Sequence, residues 1–102
     1  MDEMEQVVIN LIVNSGSARS SAIEAIQYAK AGDMDKAAES LQQAKESVNE
    51  AHHAQTEMIQ AEIRGERAPL NLLMVHAQDH LMTSLVVIDL AQEFIDLYEK
   101  IK

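Results

Sequence analysis

Residues 70–101 read LNLLMVHAQDHLMTSLVVIDLAQEFIDLYEKI. Leu72, His76, Asp79, Thr83, Val86, Leu90, Phe94, Leu97 and Ile101 recur at three- and four-residue steps, the spacing of one face of an α-helix. Leu73, Leu81, Met82, Leu85, Val87 and Ile88 make much of the first half apolar around its full circumference. A helix with so little polar face is buried on all sides. Two companion helices cannot bury it that completely. The stretch therefore predicts a helical bundle whose last helix also faces other copies of the chain, without giving their number.

Moving outward, Arg64-Gly65-Glu66-Arg67-Ala68-Pro69 separates this helix from the one before it. Gly65 suits a helix stop, and Pro69 suits the first turn of the next helix. Upstream, from about Asp33 to Ile63, Met34, Ala37, Ala38, Leu41, Ala44, Val48, Ala51, Gln55, Met58 and Ile59 form one stripe. Lys36, Glu39, Gln42, Lys45, Glu46 and Glu50 lie opposite, so this is an amphipathic, solvent-facing helix. Ala31-Gly32-Asp33 is the earlier break, a glycine stop followed by an aspartate N-cap. From about Asp2 to Ala31, Val8, Leu11, Ile12, Ser15, Ala18, Ala22, Ile26 and Ala29 repeat at helical spacing. Asn14-Ser15-Gly16-Ser17 interrupts them with poor helix formers, which predicts either a kink or a close helix contact. The fold class is all-α: one domain, residues 1–102, an antiparallel up-down-up three-helix bundle with helices at about 2–31, 33–63 and 70–101.

Composition agrees. A chain of 102 residues fits one domain. Two Tyr, one Phe and no Trp leave too few aromatics for a typical sheet protein. Without cysteine there is no disulfide, no thiolate nucleophile and no cysteine metal site. The acidic start, Met1-Asp2-Glu3-Met4-Glu5, lacks the basic region and apolar core of a secretory signal, and no apolar run is long enough to span a membrane. A cytoplasmic location is expected. The net charge of -9 argues against nucleic acid and anionic lipid and favours partners with basic docking faces.

Chemistry concentrates in residues 76–84, HAQDHLMTS. On a helix His76, Asp79 and His80 share one patch, with Thr83 a turn further on. Titratable groups in so apolar a helix need an account, because unpaired burial is costly. Three readings stand at this point. The groups satisfy one another as scaffolding. Or His76 and His80, at i and i+4, hold a metal with an oxygen from Asp79. A zinc-protease form of that reading is weak, since Ala77 stands where glutamate should follow the first histidine. Or a neutral imidazole acts as a phosphoryl nucleophile, with Thr83, Gln78 or the second histidine holding phosphate oxygens. Asp79 would then need a cation or an offset position, because a carboxylate repels phosphate.

The chain also resembles a known family. Residues 7–18 (VVINLIVNSGSA), 29–33 (AKAGD), 49–59 (NEAHHAQTEMI) and above all 76–84 are similar to the IIA component of the lactose/cellobiose and diacetylchitobiose branch of the bacterial sugar phosphotransferase system. The resemblance runs from Val7 to Lys102. It implies a homotrimer of three-helix subunits. It implies that His76 accepts phosphate from the carrier HPr and passes it to a cysteine of the cognate IIB component, during uptake of a β-linked disaccharide. It implies that Asp79 from each of three subunits meets a divalent cation, Mg2+, once per trimer. His80 is implied as a supporting residue beside the nucleophile, and Gln78 as a supporting member of the motif. His52 is given a minor structural role, and His53 a surface one. Nε2 of His76 is the expected attacking atom, on the rule that it is the nitrogen not held by a structural hydrogen bond. His76 is expected near a groove between subunits, open on one side so that two carriers can reach it. The alternative from another class is a non-catalytic structural or regulatory bundle.

Overall fold

The computed structural model describes residues 2–101. Three helices follow one another: α1 (Glu3–Lys30), α2 (Met34–Ile63) and α3 (Leu72–Lys100). No strand occurs among the described residues. Each helix starts at a side-chain cap that takes up an otherwise orphaned N–H. The amide of Glu5 donates to Asp2 Oδ1 at 2.8 Å, that of Lys36 to Asp33 Oδ1 at 3.1 Å, and that of Met74 to Asn71 Oδ1 at 2.8 Å. Two of the three helices end on a left-handed glycine, Gly32 at φ 89° and Gly65 at φ 91°. The following amides, Asp33 and Glu66, reach back to the carbonyls of Tyr28 and Ala61. That six-to-one bond closes the last turn and needs a residue without Cβ strain at the glycine position.

The third helix begins two residues later than its apolar pattern predicts. Leu70 and Pro69 lie outside it, and Pro69 belongs to the connection rather than to the first turn. Asn71 is the reason: its side chain caps Met74, and a capping residue must keep extended backbone, here φ -142° and ψ 172°.

The core is a seam of small side chains. Nine of its 17 buried apolar residues are alanines, which lets the helix backbones approach closely. The inward face of α3 is Met74, Ala77, Leu81, Ser84, Ile88, Ala91 and Ile95, at alternating steps of three and four. This corrects the stripe read from sequence. Leu72, Val86, Leu90, Phe94, Leu97 and Ile101 stand exposed on the single chain, with Leu72 84% accessible. Two apolar stripes run along α3, and the one with alanine and serine is the one that fits against its neighbours. In α2, Ala38 and Ile59 are likewise exposed, while Ser40 is buried.

The Asn14–Ser17 stretch leaves α1 an unbroken helix. Its small residues serve a close contact instead: Ser84 Oγ of α3 donates to the carbonyl of Ser15 at 2.8 Å. Ser40 Oγ makes the same kind of bond from α2 to the carbonyl of Ser21, at 2.7 Å. Ser15 Oγ itself is fully buried and has no partner among the described residues. Ser15→Ala is therefore expected to stabilise the fold by about 1 kcal/mol, since it removes an unsatisfied hydroxyl and keeps the accepting carbonyl. Chemical denaturation would show the midpoint rising; a fall would mean that the hydroxyl has a partner in solution.

Candidate functional site

The first half of α3 presents its polar residues on different sides of one helix. His76 and His80 are a turn apart and touch. Their Nε2 atoms lie 3.0 Å from each other. The ring centroids are 4.4 Å apart, and the rings are nearly perpendicular at 83°. His76 is exposed and His80 half-buried, so the pair opens to solvent. At that distance one ring must carry its proton on Nε2 while the other offers a bare lone pair. The contact also revises the rule used to choose the reacting atom. Nε2 of His76 is the engaged nitrogen, and its Nδ1 has no hydrogen-bond partner among the described residues.

The remaining motif residues are not brought to that pair. Thr83 Oγ1 turns back onto its own helix, 2.8 Å from the Asp79 carbonyl and 3.3 Å from that of His80. Its hydroxyl is thus used locally rather than presented to a phosphate. Gln78 sits two residues from His76, about 200° around the helix, and faces α2. Its Oε1 accepts from Gln55 Nε2 at 2.8 Å, and its own Nε2 lies 3.5 Å from Met74 Sδ. Gln55 Nε2 also lies 3.3 Å from Met82 Sδ. This amide pair joins α2 to α3 beside the site. Sequence reading placed Gln55 on the apolar stripe of α2 without assigning it a partner; a lone amide on an apolar stripe was the available signal.

Asp79 is exposed on the outer stripe of α3, and it makes no ion pair among the described residues. Neither do three His, Asp or Glu side chains converge anywhere among the described residues. On α2, His52 is exposed, and its carbonyl accepts from Thr56 Oγ1 at 3.0 Å. His53 is exposed, with Nε2 at 3.5 Å from Glu57 Oε1. No helix among the described residues is long and apolar enough to cross a membrane.

An open imidazole pair on a bundle of three long helices defines a class of small helical protein that offers ring nitrogens to a partner or ligand. Known proteins give that class its family. The family model described as "PTS system, Lactose/Cellobiose specific IIA subunit" matches residues 6–99. The chain is 54% identical over 100 residues to the lichenan-specific phosphotransferase enzyme IIA component of Bacillus subtilis, covering 98% of this chain and 91% of that one. It is 45% identical to the N,N'-diacetylchitobiose-specific EIIA component of Escherichia coli K12, covering 99% and 87%. Among solved structures, the cellobiose-specific enzyme IIA of Bacillus anthracis superposes with a TM-score of 0.93 at 55% identity, over 99% of this chain and 93% of that one. The IIA(chitobiose) chain of a complex with HPr superposes at 0.85 with 42% identity, over 99% and 98%. The chain belongs to the lactose/cellobiose-specific IIA family of the phosphotransferase system, and it is a phosphotransferase carrier component.

Proposed function

We propose that His76 is the phosphoryl acceptor, that HPr is its donor and that a cysteine of a IIB component is its acceptor. The observation that carries this is the exposed His76 ring with a second imidazole 3.0 Å from its Nε2. In the receptive state His80 carries its proton on Nε2 and His76 is bare there. The His76 lone pair attacks the phosphorus of phosphohistidine in HPr. A new N–P bond forms as the donor's N–P bond breaks, and the donor ring leaves with the electron pair. The transition state is loose and in line, so the protein's part is to position and stabilise charge rather than to supply a base. As the new bond takes up the lone pair, the His80 N–H is left free to donate to a phosphoryl oxygen. The IIB thiolate then attacks phosphorus, and His76 leaves with its lone pair restored. The sugar is a β-linked disaccharide or short relative of one, in keeping with the named specificities of the relatives, and the membrane component selects it. The location is cytoplasmic, where HPr and IIB are reached.

The test is mass spectrometry of the chain after incubation with phosphoenolpyruvate, enzyme I and HPr. One acid-labile phosphoryl group per chain is expected, with nitrogen-15 NMR placing it on Nε2 of one histidine. A chain that stays unmodified would leave a structural or regulatory bundle as the better reading.

The exposed stripe of α3 supports a homotrimer. Val75, Met82 and Val86 flank Asp79 on that stripe, and all are about half-exposed in the single chain. If three copies meet along it, three Asp79 carboxylates converge on the symmetry axis and repel one another. An oxygen donor set of that kind suits a hard divalent cation such as Mg2+, one per trimer. The cation would neutralise the axial charge. Asp79→Leu is then expected to leave the trimer intact or tighter, because apolar packing replaces buried charge. Sedimentation equilibrium decides it: dissociation of the variant into monomers would sink the axial-cation reading.

A further inference from the structure

The geometry points to a second, separate metal site: we propose that His76 and His80 together chelate a borderline transition-metal ion, and that this ion and the phosphoryl group exclude each other. The distance is the reason. Two imidazoles at i and i+4 bind one ion only when their nitrogens converge, and here both Nε2 atoms already do, at 3.0 Å. With metal–nitrogen bonds of about 2.0–2.1 Å, that separation subtends about 91–97° at the metal. This is the angle between neighbouring ligands in octahedral or square-planar coordination, which Ni2+ and Cu2+ adopt. A tetrahedral ion such as Zn2+ would ask for nitrogens roughly 3.3–3.4 Å apart, so it fits less well.

The other requirements are met without rearranging the chain. The pair opens to solvent, so water can fill the remaining positions. The rings are neutral ligands, and binding needs only that the shared Nε2 proton move to Nδ1, which leaves both Nε2 lone pairs bare. With that proton on His80, the atom that must take it is Nδ1 of His80, which has no partner among the described residues that would resist this tautomer. The hard, oxygen-based cation proposed at Asp79 is a different ion at a different atom type.

Exclusion follows from the electron pairs. The lone pair that attacks phosphorus is the one the metal would occupy, and a phosphoryl group on Nε2 removes half of the chelate. By linkage each ligand weakens the other. This second half rests on His76 being the phosphoryl acceptor; the chelate itself does not.

Calorimetric titration of the unmodified protein with NiCl2 tests the site directly. One ion per chain is expected, with affinity at least about tenfold lower in His76→Ala and in His80→Ala taken separately, because a lone imidazole loses the effective concentration of its partner. His53→Gln should change nothing. Absence of binding, or binding that survives either single alanine variant at full affinity, overturns the chelate. His76 is exposed and His80 is only half-buried, and circular dichroism would confirm that the variants keep their helices. If Ni2+ binds, phosphorylation by phospho-HPr should fall as the site fills; acceptance at full rate with the site saturated overturns the exclusion. A wild-type chain that binds Ni2+ yet never accepts phosphate would remove the carrier reading and leave the chelate standing.

Discussion

His76→Ala is expected to abolish phosphoryl acceptance, while His80→Ala is expected to retain it at a rate about ten- to a hundredfold lower. The two histidines touch each other at matching atoms, yet they stand differently in the fold. His76 is exposed, as the proposed transfer between two proteins requires, and His80 is half-buried. Removing the proposed nucleophile leaves only the half-buried His80 as an imidazole at the site, and Thr83 is turned back onto the helix. Removing His80 deletes the donor that the proposed mechanism aims at developing charge on phosphoryl oxygen. A hydrogen bond to a charged group contributes about 1.5–3 kcal/mol, which corresponds to roughly 10- to 150-fold in rate. Rapid-quench phosphorylation followed by intact-mass measurement separates the two effects. If His80→Ala were the dead variant and His76→Ala the slow one, the roles would be exchanged. If both were dead, the pair would act as one unit whose shared proton is indispensable.

Leu81→Ala is the second large effect, this time on stability. Leu81 has no solvent exposure and lies in the middle of the inward seam of α3, one residue past His80. Its neighbours along that seam are Ala77 and Ser84, which are too small to collapse into the space left. Leucine-to-alanine changes in such sites cost about 2–5 kcal/mol, and the rigid alanine-rich surroundings place this one near the middle of that range. A domain of this size is commonly stable by only about 5–15 kcal/mol, so the variant should unfold at much lower urea. Leu97→Ala is the control. Leu97 is 52% exposed in the single chain, and its loss should cost the isolated subunit little while weakening an assembly built on the outer stripe. The denaturation midpoint should be compared at two protein concentrations, because subunit association adds stability by mass action. Equal destabilisation by the two changes would mean that both faces of α3 are equally buried in solution.

Much of this fold was legible because its signals are local. Asp33 and Gly32 mark their helix ends through their own backbone preferences, and the structure puts both in those roles. Gly65 does the same. Local chemistry failed at Pro69, where proline compatibility with a first turn suggested a start that Asn71 takes instead. The Asn14–Ser17 stretch was ambiguous for a related reason. Poor helix formers weaken a helix in isolation, but small side chains also allow a neighbour to approach, and the Ser84–Ser15 bond uses them that way. Ser40 was missed altogether, although its place between Ala37 and Ala44 lies in phase with the buried positions. A serine there reads as polar until a carbonyl of another helix stands opposite it.

The site shows the same division. Helical spacing alone brings His76 and His80 to one patch, and it keeps Gln78 on another side. By itself the sequence determined the three helices, their stops, the residues carrying the chemistry and the family resemblance, because each depends on near neighbours in the chain or on a motif. Tertiary structure decided which apolar stripe of α3 turns inward. Hydropathy could not choose between two apolar faces; the small side chains of Ala77, Ser84 and Ala91 could, by letting α3 lie close against its neighbours. It also decided that Gln78 bonds to Gln55 and that the two Nε2 atoms meet. Those outcomes depend on side-chain rotamers and on the approach of another helix, which no spacing along one chain can specify.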